Sequence, residues 1–95
     1  MTEGTAHYYL VKLVKGPEWR PGLSFDLLLL QFRHLRNLLR LRRFKKTVIS
    51  GPLMDDGDVR GVVMFKVGTE DEVRKLIETD PAVQAGRLSY EISEF

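Results

Sequence analysis

The sequence predicts an α+β domain with the element order βαββαβ. Three observations carry this. The chain opens on a β-branched and aromatic run, HYYLVKLV. A leucine- and arginine-rich stretch from Phe25 to about Arg43 repeats with helical spacing. Two further apolar strand patterns, RGVVMFKV and RLSYEISE, flank a second, capped helical pattern. At 95 residues the chain fits one domain spanning positions 1–95, since typical domains hold roughly 50–250 residues.

Each element has its own signal. The first strand, His7 to Val14, is rich in residues that suit a pleated surface. Gly16-Pro17 stops it, and PEWRPG up to Gly22 reads as a loop, because two prolines and a glycine suit turns. Ser24 can cap the next helix and Asp26 suits its first turn. On a helical wheel Leu28, Leu35, Leu38 and Leu41 fall on one side, and Arg33, Arg36 and Arg40 on the other. Thr47 to Ser50 is a short second strand ended by Gly51-Pro52, and the turn MDDGD follows. Arg60 to Val67 is the third strand. Thr69 opens the second helix with a capping box, Glu72 standing three residues on, before Val73, Leu76 and Ile77. Asp80-Pro81 ends that helix or starts a further turn. Arg87 to Glu94 alternates Leu88, Tyr90 and Ile92 against Ser89, Glu91 and Ser93, as a half-buried strand does.

Two βαβ halves with both helices on one sheet face make an antiparallel, ferredoxin-like sandwich. Tyr9, Val11, Leu13, Val63, Phe65 and Val67 point at the helices. The opposite face carries Tyr8, Leu10, Val14, Val62 and Met64 among Lys12, Lys66, Ser89 and Glu91. That face is apolar enough to mark an interaction site, so a homodimer paired sheet to sheet about a two-fold axis is expected.

Composition excludes several classes. There is no cysteine, hence no disulfide or thiolate metal ligand, which fits a cytoplasmic protein. Met1 to Ala6 carries no basic and apolar leader. Leu27 to Leu30, an apolar run that no other exceeds, is far short of the about 20 residues that span a bilayer, so no membrane partner is expected. Two histidines without matched spacing give no metal site, and His7 has no evident partner. Asp55, Asp56 and Asp58 around Gly57 lack the full ligand set of a calcium loop and read as a solvated turn. No cofactor is called for.

Charge is uneven. Seven cations and no acid lie between Arg33 and Lys46, although the net charge is only +2. The element order is that of an RNA-binding fold, and such a run can meet phosphates. Those folds stack bases on aromatics of the third strand. Here the places hold Val62 and Met64, so a solvated basic surface is the simpler reading and nucleic acid is not the expected partner.

FRHLRNLL, ISGPLMDDGDVRG and TDPAVQAG occur in that order before a final strand. This resembles the YciI-like (YCII-related) family: a helix histidine, a Gly-Pro after strand two, a glycine opening strand three, and an Asp-Pro followed by a glycine before strand four. The resemblance runs from His7 to Phe95. It implies a ferredoxin-like fold that pairs into a dimeric α/β barrel. It also implies a pocket with a catalytic His–Asp pair, mapping onto His34 and Asp80. Some members are similar to muconolactone-isomerase-like enzymes and are linked to dehydrochlorination, which implies lyase- or isomerase-like proton transfer on a small molecule. Two departures stand out. The usual glycine between the long helix and strand two is replaced by Arg43-Phe44-Lys45-Lys46, and an arginine one turn before the histidine is replaced by Gln31. The loop around Trp19 is also longer than usual.

From the residues themselves, His34 sits at the edge of the helix's apolar side. An imidazole, with an ordinary pKa of about 6.5, suits general acid/base work near neutrality. It equally suits a core-edge position with one hydrogen bond. Asp80 can cap a turn with Pro81 at its first position, and through the resemblance it can orient His34. Ser50, Gly51 and Pro52 are candidates for lining a substrate pocket, or make a plain strand-ending turn. A non-catalytic dimeric binder of small molecules or proteins would keep the same pocket. Geometry discriminates: the enzyme reading requires His34 and Asp80 within hydrogen-bond reach beside an open cavity.

Overall fold

The computed structural model describes residues 7–22 and 24–95. Positions 1–6, on which the expectation about a leader rests, and Leu23 lie outside the described residues. The element order is β1 (His7–Lys15), α1 (Phe25–Arg43), β2 (Thr47–Pro52), β3 (Val59–Val67), α2 (Glu70–Ile77), α3 (Pro81–Gln84) and β4 (Leu88–Glu94). The four strands form one antiparallel sheet in the order β2-β3-β1-β4, the ferredoxin-like arrangement. The sheet is open, with β2 and β4 as its edges.

Of the two readings open at Asp80-Pro81 the structure takes the second, a separate single-turn helix, α3. One detail differs from the sequence reading. Gly51-Pro52 does not end β2 but belongs to it, pairing with Val62 and Gly61 of β3. Proline is tolerated there because β2 is an edge strand, where a missing N–H costs no ladder bond.

The core forms where expected on the sheet. Tyr9, Val11, Leu13, Val63, Phe65 and Val67 are buried, and α2 and α3 close over them with Val73, Ile77 and Ala82. Strand alternation places these side chains on one face without ambiguity. The other face keeps Leu10, Val14, Val62 and Met64 half-buried and Tyr8, Lys12 and Lys66 exposed.

Helix α1 corrects the wheel. Its buried residues are Leu27, His34, Asn37 and Leu41. Leu28 and Leu35, assigned to the core side by the sequence, are 52% and 48% exposed. Leucine and phenylalanine occupy nearly every side of this helix, so apolar spacing does not single out one stripe. Partners decide instead: Asp80 and the α3 turn accept the polar His34 into the middle of the buried face. His34 is therefore central to that face, not at its edge.

The helix caps follow local chemistry. Ser24 Oγ accepts the Leu27 N–H, and Thr69 Oγ1 accepts the Glu72 N–H. After α1 the chain turns through Lys45 in the left-handed region, φ 60°. There Lys45 N–H donates to Arg42 and Lys46 N–H to Leu41, a Schellman closure that usually employs glycine. The turn glycine missing between the long helix and strand two is thus replaced by a strained lysine.

Two glycines hold the loop after β1. A Cβ on Gly16 would overlap the Gly86 carbonyl oxygen, and Gly86 itself takes φ 78°. That close approach lets Gly16 N–H donate to Arg87 O and Glu18 N–H donate to Gly86 O, both at 2.8 Å. Trp19 is thereby carried onto the start of β4. Among the described residues no helix is long and apolar enough to cross a membrane.

Candidate functional site

Two helices meet at His34. Helix α1 packs along α3 and β2 and delivers the imidazole inward, 7% exposed. Asp80 precedes α3 and is fully buried. Its backbone is fixed at both ends, N–H donating to Ile77 O at 3.1 Å and C=O accepting from Gln84 N–H at 2.9 Å. Its side chain divides its work. Oδ1 accepts the Ala82 N–H at 2.8 Å and caps α3. Oδ2 lies 2.5 Å from His34 Nδ1. Both structural readings of Asp80, cap and histidine partner, hold at once.

This contact sets the imidazole's tautomer. A carboxylate only accepts hydrogen bonds, so the proton sits on Nδ1 and Nδ1–H donates to Oδ2. In the neutral imidazole Nε2 is then the nitrogen without a proton. Among the described residues the sealed side-chain atoms without a partner are Asn37 Nδ2 and Thr47 Oγ1, and His34 Nε2 is not one of them. His34 lines a cavity of about 700 Å³ between α1 and the sheet. Leu30, Leu35 and Leu38 contribute apolar wall from the helix, and Ala82 and Leu88 from the far side. An imidazole held on one nitrogen and open on the other can accept and return a proton.

Ser50, Gly51 and Pro52 line the same cavity, as do Gln31 and Gly61. Gly61 matters for the wall's shape, since a Cβ there would lie 3.0 Å from Gly51 O. The turn at Asp55 to Gly57 is self-contained: Asp55 Oδ1 accepts the Gly57 N–H at 2.9 Å, and Arg60 donates to the carbonyls of Asp55 and Gly57. His7 lies on the exposed end of β1, 3.2 Å from Glu94. The basic run lines a second, shallower groove of about 1080 Å³, with Arg33, Arg36, Arg40 and Phe44 on its walls.

Sequence reasoning missed most wall residues, among them Trp19, Arg60 and Arg87. The one available signal was Trp19, the only tryptophan, set in an otherwise polar loop. The pairing of β1 with β3 and β4, which brings the three together, is a property of the fold and not of local pattern.

The profile of the YCII-related domain matches residues 28–95. A solved structure similar to this chain is 5-chloro-2-hydroxyhydroquinone dehydrochlorinase (TftG) from Burkholderia phenoliruptrix AC1100, in complex with 2,5-dihydroxybenzoquinone. The likeness has a TM-score of 0.63 at 24% identity and covers 93% of this chain and 92% of that one. It bears on the fold. No curated protein matches.

Proposed function

The chain belongs to the YCII-related domain family, and on that premise we propose that its cavity is a small-molecule site in which His34, oriented by Asp80, moves a proton. The observation that carries this is the buried 2.5 Å contact between His34 Nδ1 and Asp80 Oδ2 on the wall of a cavity. Nε2 takes a proton from one atom of the substrate and returns it to another, or loses it to solvent. The first course is an isomerisation, the second the acid–base half of an elimination. Asp80 steadies the imidazolium formed between the two transfers. Ser50 and the backbone at Gly51 and Pro52 supply wall contacts. Two copies pair through the open sheet face into a dimeric α/β barrel, which covers Leu10, Val62 and Met64.

The activity of the structural relative gives a first substrate to try. Chloride release from 5-chloro-2-hydroxyhydroquinone is measured beside a thermal-shift screen of small aromatic and carboxylate compounds. The reading expects a compound that stabilises the wild type but not His34→Ala. It expects any turnover found to fall about a hundredfold or more in His34→Gln, the usual loss of a general base. Equal stabilisation of both proteins, or turnover that survives His34→Gln, contradicts it.

A further inference from the structure

The cavity wall has a charge pattern that proton transfer alone does not explain. Arg42, Arg60 and Arg87 line it, and among the described residues no aspartate or glutamate does. Two of these arginines converge on one indole. The Arg87 guanidinium carbon stands 4.1 Å from the Trp19 ring centroid and that of Arg60 5.7 Å, with Lys15 Nζ at 5.6 Å, all within cation–π range.

The cations around this loop divide into two kinds. Lys15 has Asp58 at 3.9 Å and Arg20 has Asp26 at 2.5 Å. Neither lines the cavity. Arg60 and Arg87 do line it, and among the described residues neither has a carboxylate partner. Among the described residues Arg60 donates to the Asp55 and Gly57 carbonyls, and Arg87 to Arg20 O at 2.8 Å. A guanidinium has five N–H donors, so both keep unused donors. Burial, and then the nearby Arg20 charge, destabilises the cationic form of Arg87. Two half-buried guanidinium groups set over one ring, with no carboxylate partner among the described residues, leave charge that an anion can pair with.

We propose that the cavity binds a small organic anion, its carboxylate or equivalent group taken by Arg87 and Arg60 beside Trp19, with its apolar body against the leucines in reach of His34. This assigns a substrate class to the site and rests on the small-molecule reading given above. Arginine suits the task because its planar fork meets a carboxylate through two parallel hydrogen bonds. Trp19 fixes both forks through the ring face. The Gly16 and Gly86 contacts fix Trp19 in turn.

Trp19 is also a built-in reporter, being the only tryptophan. Benzoate and benzamide, nearly equal in shape and different in charge, are titrated against its fluorescence at constant ionic strength. The proteins are full-length wild type, Arg87→Gln, Arg60→Gln and His34→Gln. Benzoate is expected to bind wild type about tenfold or more tightly than benzamide, as charge-assisted hydrogen bonds to an anion imply. Arg87→Gln abolishes that preference and Arg60→Gln reduces it several-fold, while benzamide, which loses at most a neutral hydrogen bond, still binds and certifies the cavity. Should Arg87→Gln fail to fold, Arg60→Gln decides alone. His34→Gln weakens both probes alike, so the ratio between them is kept. Equal binding of the two probes by wild type, or a preference that survives both arginine variants, overturns the anion subsite and leaves the His34 reading standing. A preference lost in His34→Gln assigns the anion to the imidazole and overturns the subsite likewise. Absence of binding by either probe overturns the subsite and the small-molecule reading together.

Discussion

Asp80 uses its two carboxylate oxygens for two tasks, capping α3 with one and holding His34 with the other. Substitutions separate them. Asp80→Ala removes a cap, about 0.5–2 kcal/mol, and leaves a buried imidazole donor unpaired, about 1–3 kcal/mol. Urea unfolding is expected to show a loss of roughly 2–4 kcal/mol. Asp80→Asn keeps an acceptor for the Ala82 N–H and presents an amide N–H to Nδ1, so it is expected to lose much less stability while moving the ring proton to Nε2. A second residue-scale expectation concerns pH. The Ser24 hydroxyl, and next the Arg20 guanidinium, hold the Asp26 carboxyl below an ordinary aspartate. A depressed folded value means that its stabilisation is present above the unfolded pKa of about 3.9 and is lost as pH falls through the folded value. Thermal midpoints of wild type and Asp26→Asn should therefore differ near neutrality and converge in acid. A constant difference would remove Asp26 as the cause. At this scale the sequence was partly legible. His34 and Asp80 could be named as a pair only through the family resemblance, since by themselves a lone helical histidine reads as a core-edge residue and an Asp-Pro as a cap. Arg60 and Arg87 could not, since an arginine is remarkable only for the partners it lacks.

The strands were legible because period-two alternation admits only two faces, and one of them is clearly more apolar. Helix α1 was not. With Leu27 to Leu30 in an unbroken run, and Phe25, Phe32 and Leu39 on outer sides, the wheel offers more than one apolar stripe, and the choice falls to the polar anchor His34. Two connections can be tested at this scale. Lys45 holds φ 60° at the end of α1, which costs a non-glycine residue about 1–2 kcal/mol. Glycine there brings an extra chain-entropy cost of roughly 0.5–1 kcal/mol. Lys45→Gly is expected to stabilise by about 0.5–1 kcal/mol in urea unfolding; a loss would mean that the lysine's contacts outweigh the backbone strain. Gly16→Ala should do the reverse. Its methyl group meets the Gly86 carbonyl, an overpacking worth about 1–3 kcal/mol. Because that contact seats the loop, Trp19 emission should shift to the red in the folded variant, and unchanged emission and stability would argue against the seating.

Across the whole molecule, the sheet order places α1 over β2 and over the start of α3, and that placement opens the cavity in front of His34. The same order leaves the other sheet face with half-buried Leu10, Val62 and Met64. If two copies pair there, light scattering should give twice the chain mass, and Met64→Lys should give the single-chain mass by burying a charge in the interface. A wild type that stays at single-chain mass at high concentration contradicts the pairing. The topology was readable in outline because each of the six expected elements carried its own signal, whereas the cavity arises between elements and has no sequence signature. The central claim is that Asp80 holds the Nδ1 proton of His34 and leaves Nε2 free to accept one. Imidazole nitrogen NMR tests it most directly, and with two histidines in the chain the resonances are assigned by comparison with His7→Gln. The account predicts a neutral His34 protonated on Nδ1 in wild type, and a switch to Nε2 in Asp80→Asn. A wild-type His34 protonated on Nε2, or exchanging freely between the two forms as a solvated imidazole does, would contradict it.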